Sequence, residues 1–260
     1  MKKVGAFMKL DELGIPVVEH CNLNCKGCLH FCHVGQEPYF CDFNEYENNL
    51  KRLRELFEEI DIIRLYGGEP FLHPNLKNFI EATYKHFPYT NIEILTNGIL
   101  LDKMPQNLVD SILKYKVKIC WSIYPIMNDR KISTLIDLLN NEGIDYSYNK
   151  IEKFYTCFDF TGNQNKDESF EKCSGKYCHV MRNGRISNCP APLVGHYINQ
   201  LGANIDFNDG IIDIYKVTCG KDILDFMQEA HTACKYCGAP RYFKWERQSG
   251  ECSLDDWKTL

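Results

Sequence analysis

The sequence predicts an α/β protein built on a parallel sheet that is closed or partly closed as a barrel. Five short apolar segments alternate with four amphipathic segments between residues 15 and 148. Crossovers of this length connect parallel strands, and such connections are right-handed. At 260 residues the chain is long enough for one large domain, or for a mid-sized domain with a smaller appendage.

The predicted elements follow one another in strict alternation. Strands are expected at 15–19, 61–66, 92–95, 117–123 and 146–148. Helices are expected at 44–60, 74–87, 105–115 and 132–139. The first helix is the clearest, because Leu50, Leu53 and Phe57 fall on one face, and Asn44 with Glu47 forms a capping box.

Four chemically suggestive segments each follow a predicted strand directly. They are the segments 21–28, 67–70 and 96–98, and Ser122 at the end of the fourth strand. Because the carboxyl ends of parallel strands share one rim, where active sites lie, we expect these segments to meet.

Composition narrows the class of protein. Hydrophobic residues make up 44% of the chain, and the formal net charge is −5 with no basic cluster, so nucleic acid is not expected as a partner. No apolar run approaches the roughly 18 residues that span a bilayer, and no secretory signal is evident, so we expect a cytoplasmic protein without a membrane partner. Fourteen cysteines in a reducing compartment more often bind metal or do chemistry than form disulfides.

Three of those cysteines form a compact triplet. Cys21, Cys25 and Cys28 place three thiols in an eight-residue loop. A structural zinc site needs four ligands, whereas three thiolates suit an iron–sulfur cluster with one iron open to a reactant. The triplet therefore predicts such a cluster, with a zinc site or an incidental group of cysteines as the alternative.

The spacing CxxxCxxC of this triplet resembles the signature of the radical S-adenosylmethionine (SAM) superfamily. Gly67, Gly68, Glu69 and Pro70 resemble the family's GGEP element, which contacts the methionyl amino group of SAM. Thr96-Asn97-Gly98 is similar to the family's third-strand turn, with Asn97 expected to bind SAM, and Ser122 is similar to a polar residue that contacts it. Many members carry an aromatic residue where this chain has Gly27, and we expect Phe31 to supply the adenine surface instead. The resemblance covers about residues 14 to 150.

The resemblance implies a fold, cofactors and a partner. It implies a partial (β/α)6 TIM-like barrel that holds a [4Fe–4S] cluster and SAM. One electron from the reduced cluster splits SAM, and the resulting 5′-deoxyadenosyl radical removes a hydrogen from the substrate. A one-electron donor such as flavodoxin or ferredoxin is therefore expected as a partner.

The character of the chain changes near residue 155. A polar, turn-rich segment at 162–167 predicts a linker, and seven of the 14 cysteines follow it. Residues 179–188 predict a hairpin that turns at Asn183-Gly184. We therefore expect a radical SAM core at 1–160 and a second domain at 161–260.

The second region resembles the twitch domain, a shortened relative of the SPASM domain, which is a small cysteine-rich α+β unit with one auxiliary [4Fe–4S] cluster. The resemblance implies Cys173, Cys189, Cys234 and Cys237 as its ligands, with Cys178 as an alternative to Cys173. Four thiolates also suit tetrahedral zinc, and spacing does not separate the two metals. Six cysteines remain unassigned: Cys32, Cys41, Cys120, Cys157, Cys219 and Cys252. One of these, or Cys178, is a candidate hydrogen donor, and the catalytic residues are unknown.

Three functions are compatible with these features. The leading one is oxidation or epimerisation of a small-molecule or sugar-like substrate, because alcohol-oxidising dehydrogenases of aminocyclitol biosynthesis have a similar layout. The cyclase that begins molybdopterin synthesis is also similar, but its C-terminal Arg and Gly motifs are not evident. The alternatives are a maturase that modifies a ribosomal peptide, and a non-catalytic iron–sulfur or zinc protein.

Overall fold

A computed structural model describes residues 7–34 and 39–259. Its strands are β1 (Lys9–Val18), β2 (Glu59–Gly67), β3 (Asn91–Thr96), β4 (Lys118–Ile123), β5 (Tyr146–Lys150), β6 (Lys153–Phe158), β7 (Val180–Arg182), β8 (Arg185–Ser187), β9 (Ile212–Asp213) and β10 (Cys237–Lys244). Its α-helices are α1 (Phe43–Leu56), α2 (Leu76–His86), α3 (Gln106–Lys114), α4 (Asp129–Glu142), α5 (Lys166–Glu171), α6 (Pro190–Gln200) and α7 (Gly220–Phe226).

The main sheet has the strand order β5-β4-β3-β2-β1-β7-β8-β9. Strands β1 to β5 are parallel and adjacent in chain order, and α1 to α4 form the four crossovers between them. The partial barrel predicted from the sequence is confirmed. Among the described residues the run of parallel strands in chain order ends at β5 instead of at a sixth strand. At the opposite edge of this run β7 pairs with β1, where Gly14 lies opposite Val180.

Apolar side chains of the strands and helices form one large core. Leu13, Ile63 and Ile94 on successive strands are fully buried, as are Leu50 and Leu53 of α1. Burial on both faces is what parallel strands between crossover helices require.

The first helix is shorter than its apolar periodicity predicts. Asp42 caps it, since its carboxylate accepts a hydrogen bond from the backbone N–H of Glu45 over 2.9 Å. The predicted capping box at Asn44 and Glu47 is therefore wrong by two residues. Phe57 leaves the helix in an extended conformation, and the next apolar residues belong to β2.

The cysteine-rich region pairs with earlier strands of the chain through β7, which lies beside β1, and through β10, which lies beside β6. The predicted hairpin is present as β7 and β8, with Asn183 and Gly184 both at positive φ, as a two-residue turn requires. Strand β10 pairs with β6, which precedes the predicted linker, and α5 begins within that linker. The division at residues 160 and 161 stays a prediction. No helix among the described residues is long and apolar enough to cross a membrane.

Candidate iron–sulfur and SAM site

The four predicted segments meet in one cavity of about 280 Å³ at the carboxyl edge of the sheet. Predicted site residues that line it are Cys21, Cys25, Cys28, Gly67, Gly68, Asn97 and Ser122. The structure thus brings together residues that are up to about a hundred positions apart, as the parallel-sheet argument expects.

The cysteine loop is held in place by the C-terminal part of the chain. The indole Nε1 of Trp257 donates a hydrogen bond to the backbone carbonyl of Cys28 over 2.9 Å. The backbone N–H of Gln248 donates to the carbonyl of Asn24 over 2.8 Å, and Arg247 forms a β-bridge with Cys25. The loop geometry therefore depends on contacts that cross most of the sequence.

The triplet thiols have the chemistry that an iron–sulfur cluster needs. Burial raises the pKa of Cys21 and of Cys25 to about 12, because a thiolate loses its hydration there. A bound cationic metal centre reverses that preference, since it deprotonates the thiols that ligate it. Among the residues that the structure describes, no three Cys, His, Asp or Glu side chains are arranged to hold a single metal ion. Three thiols around a cavity fit a larger, multi-iron group better than one zinc ion.

The segment Gly67-Gly68 allows two backbones to approach closely. A Cβ atom on Gly68 would lie 2.1 Å from the carbonyl oxygen of His20, immediately before Cys21. The backbone N–H of Gly68 donates a hydrogen bond to the carbonyl of Val18 over 2.7 Å. Only glycine fits this position, so the segment fixes where the cysteine loop leaves β1.

Glu69 and Pro70 lie behind the cavity wall. Glu69 is fully buried, and its carboxylate accepts hydrogen bonds from the hydroxyl of Thr96 and the backbone N–H of Phe71, as well as from that of Asn97. Burial raises the pKa of Glu69 to about 7, although these donors oppose the shift. Pro70 is buried and begins a short 3-10 helix. Neither side chain lines the cavity in this structure.

Asn97 connects the third strand to the cysteine loop. Its side-chain Nδ2 donates to Oδ1 of Asn22 over 2.7 Å and lies 3.7 Å from Sγ of Cys21. Its carbonyl oxygen accepts from the indole of Trp121. Ser122, on the next strand, lines the same cavity.

Phe31 does not provide an aromatic surface at this cavity. Its ring is fully buried and packs on Trp257, with ring centroids 5.4 Å apart. The expectation that Phe31 faces the adenine is therefore not supported, because the ring points into a separate core. The aromatic residues that line the cavity are Tyr66, Tyr124, Phe154 and Tyr155.

A second cavity of about 720 Å³ contains most of the remaining predicted metal ligands. Its lining includes Cys173, Cys189 and Cys237, and also Cys178 and Cys157. The pKa of Cys189 is raised to about 12, mainly by burial. The neighbouring thiols of Cys234, Cys173 and Cys157 raise it further. Cys234 thus belongs to this group although it does not line the cavity. Cys178 is exposed, and its neighbours are Glu12, Arg64 and Cys173.

Sequence reasoning left Cys157 unassigned, yet it lies within this group. Its thiol neighbours that of Cys237, and this proximity lowers the pKa of Cys157 and raises the pKa of Cys237. The signal was weak in the sequence, because Cys157 precedes the linker and reaches Cys237 only through the pairing of β6 with β10.

The two cavities adjoin. Five residues line both of them: Leu29, His30, Tyr66, Leu95 and Tyr155. The triplet thiols therefore lie on one side of this shared wall and the second group of thiols on the other. A partial parallel barrel with three thiols at its carboxyl rim is the arrangement expected of an iron–sulfur enzyme whose cluster has an open iron.

Comparison with known proteins identifies a family domain. Residues 15–122, less than half of the chain, match the family model described as the radical SAM superfamily, so the chain contains a radical SAM domain. Its cofactors are accordingly a [4Fe–4S] cluster and SAM.

Curated relatives match part of the chain. The GTP 3′,8-cyclase of Aliarcobacter butzleri is 34% identical over 114 residues, which is 42% of this chain and 34% of that protein. The GTP 3′,8-cyclase of Staphylococcus epidermidis is 28% identical over 147 residues, or 53% and 42% of the two chains. The first of these matches spans about a third of its relative's length.

Solved structures share the fold over most of the chain. BtrN in complex with AdoMet and 2-DOIA is 18% identical, with a TM-score of 0.53 over 88% of this chain and 93% of that one. Native anSMEcpe with bound AdoMet is 12% identical, with a TM-score of 0.58 over 88% and 82%. At these identities the likeness concerns the fold.

Proposed function

We propose that this protein cleaves SAM reductively at Cys21, Cys25 and Cys28, and oxidises or epimerises a small, hydroxylated molecule bound in the adjoining cavity. When bound, the cluster and SAM supply a 5′-deoxyadenosyl radical, for which a flavodoxin or ferredoxin is the proposed electron source. The single observation that carries the proposal is the wall shared by the two cavities, which puts a substrate-sized space next to the triplet.

The proposed roles of the SAM-site residues follow from their positions. Cys21, Cys25 and Cys28 hold the cluster. Gly67 and Gly68 allow the end of β2 to lie close to the cysteine loop, so that SAM can bind beside the cluster. Asn97 and Ser122 offer polar atoms to SAM, and Tyr124 and Phe154 offer aromatic surface. Glu69 positions Asn97 through its backbone hydrogen bond.

The charges of the larger cavity favour a substrate without anionic groups. The guanidinium of Arg64 is paired with Glu12 and, over 2.7 Å, with Glu93. The ammonium of Lys172 lies 3.4 Å from a carboxylate oxygen of Glu168. Each cationic lysine or arginine of the described lining therefore already has a carboxylate partner. Hydroxyl groups of a substrate can donate hydrogen bonds to these carboxylates and accept them from the paired cations.

Both histidines of this lining are uncharged at neutral pH. Burial lowers the pKa of His30 to about 4 and also lowers that of His179. They add hydrogen-bonding atoms without adding positive charge.

These charges do not favour GTP, which the curated relatives' names specify for those proteins. A triphosphate needs several unpaired cations, and the described lining offers none. The matches to this chain also cover only 34% of the Aliarcobacter butzleri protein and 42% of the Staphylococcus epidermidis protein. A polyol or aminocyclitol is thus the better candidate.

The second group of thiols is proposed to hold an auxiliary [4Fe–4S] cluster on Cys173, Cys189, Cys234 and Cys237. The proximity of Cys189 to Cys173 and Cys234 supports this set over one that contains Cys178. A cluster at the far side of the cavity is suited to accept an electron from a substrate radical, which favours oxidation over epimerisation. A zinc ion on the same thiols would remove that argument.

A substrate panel tests the proposal. Anaerobically reconstituted protein, SAM and reductant are incubated with polyols, aminocyclitols, GTP or peptides, and the release of 5′-deoxyadenosine is measured. We expect a polyol or aminocyclitol to raise the rate above the substrate-free rate, and deuterium from the labelled substrate to appear in 5′-deoxyadenosine. Stimulation by GTP alone or by a peptide alone would overturn the substrate assignment.

A matched pair of variants tests the cavity. Glu168 of α5 lines it, whereas Glu171 of the same helix does not. Glu168→Gln is expected to raise KM for the stimulating substrate, and Glu171→Gln to leave KM unchanged. Equal effects of the two substitutions would contradict the proposed binding site.

A further inference from the structure

A fourth thiol lines the cavity of the cysteine triplet. Cys32 lies in its wall together with Cys21, Cys25 and Cys28, whereas none of the other cysteines does. The side chains of Cys28 and Cys32 are neighbours in this wall. The four cysteines have the spacing CxxxCxxCxxxC, and all four line one cavity.

The backbone between the last two thiols is unusual. Phe31 has a φ of 51°, in the left-handed region that bulky residues rarely adopt. Its N–H donates to the carbonyl of Cys28 over 3.0 Å, and its ring is locked against Trp257 and Phe158. This turn reverses the chain directly after Cys28 and returns Cys32 to the cavity.

We infer that Cys32 is a displaceable fourth ligand of the cluster. Its thiolate binds the iron that the triplet leaves open, and it leaves when the amino and carboxylate groups of SAM take that position. The iron–sulfur bond to Cys32 would break as SAM binds, and the released Cys32 thiolate would take up the proton that the ammonium group of SAM loses on binding, with no change in oxidation state. The inference rests on the proposed assignment of Cys21, Cys25 and Cys28 to the cluster.

A soft thiolate at this position has a clear physical use. It is a better ligand for an iron–sulfur centre than water, and it shields the open iron until the reactant arrives. The cost is a lower apparent affinity for SAM, since only the fraction of molecules with Cys32 released is ready to bind.

The test compares Cys32→Ala with Cys120→Ala, because Cys120 lines neither cavity. Iron content, the electron paramagnetic resonance spectrum of the reduced cluster and the Kd of SAM are measured for each full-length protein. The same measurements in a Cys234→Ala/Cys237→Ala background remove the signal of the proposed second cluster.

We expect Cys32→Ala to keep its iron, to differ from wild type in the SAM-free spectrum and to match it once SAM is added. SAM should bind about tenfold more tightly if nine in ten wild-type molecules have Cys32 bound. Cys120→Ala should behave as wild type.

Two results would overturn the inference. Unchanged spectra with an unchanged SAM affinity would show that Cys32 does not reach the iron. Loss of iron from Cys32→Ala would show a permanent ligand instead of a displaceable one. In the Cys234→Ala/Cys237→Ala background, a cluster signal that survives replacement of Cys21, Cys25 and Cys28 would overturn the proposed cluster site itself, and the inference with it.

Discussion

The carboxylate of Glu69 accepts a hydrogen bond from the backbone N–H of Asn97 over 2.8 Å, and this bond joins the end of β2 to the end of β3. Because Glu69 is fully buried, its ionised form is disfavoured and its pKa rises from 4.5 to about 7. The difference corresponds to about 3 kcal/mol. A raised pKa of a carboxyl group means that its contribution to stability is complete below pH 4.5 and is lost as the pH rises through about 7.

Glu69→Gln should therefore flatten the pH dependence of stability in the metal-free, SAM-free protein. Glutamine keeps the volume but cannot ionise, so we expect a smaller fall in the free energy of unfolding between pH 4.5 and 7 than in wild type. Denaturant unfolding at several pH values measures this free energy of unfolding. Glu171→Gln, at an exposed residue, is the control. Parallel curves for wild type and Glu69→Gln would contradict the assigned titration.

Gly68→Ala should displace the cysteine loop. The new Cβ would lie 2.1 Å from a backbone oxygen of His20, so the backbone has to move, at a cost of about 2–4 kcal/mol. We expect a lower unfolding midpoint and less iron at the triplet. Gly238→Ala is the control, because its nearest neighbouring atom would be 3.5 Å from the Cβ. Normal iron content in Gly68→Ala would refute the close approach.

Trp257→Ala should destabilise the protein and loosen the triplet. The side chain is fully buried, so its truncation should cost about 3–5 kcal/mol. Trp257→Phe should cost less but lose the hydrogen bond to Cys28, worth about 1 kcal/mol. Chemical unfolding and iron content are the measurements, with Tyr89→Ala, at an 89% exposed residue, as control. If Trp257→Ala retained wild-type stability and iron, the proposed support of the loop would be wrong.

Single alanine replacements should define the auxiliary ligands. Loss of Cys173, Cys189, Cys234 or Cys237 should each remove about four irons per chain, because a cluster with three ligands in an open cavity is easily lost. Cys178→Ala and Cys157→Ala should keep the full iron content. Iron loss from either of the last two, with retention in Cys173→Ala or Cys237→Ala, would show a different ligand set.

Much of the site was predictable because it is encoded locally. The spacing of Cys21, Cys25 and Cys28 and the turn at Gly67-Gly68 each lie within a few residues, and strand alternation places them on one rim. The C-terminal support was not predictable, since Trp257 meets Cys28 across 229 positions of sequence. The burial of Phe31 and the position of Cys157 depend on the same long-range packing. Periodicity also placed the end of α1 too late. Phe57 and Ile60 continue the apolar spacing of the helix, although Phe57 lies just after its end and Ile60 belongs to β2.

Replacement of Cys21, Cys25 and Cys28 together by alanine tests the central claim most directly. Anaerobically reconstituted wild-type protein should contain about eight irons per chain and release 5′-deoxyadenosine from SAM in the presence of reductant. The triple variant should keep about four irons at the second group of thiols and release none. Continued release of 5′-deoxyadenosine by the triple variant, or a wild-type loop that binds only zinc, would contradict the account.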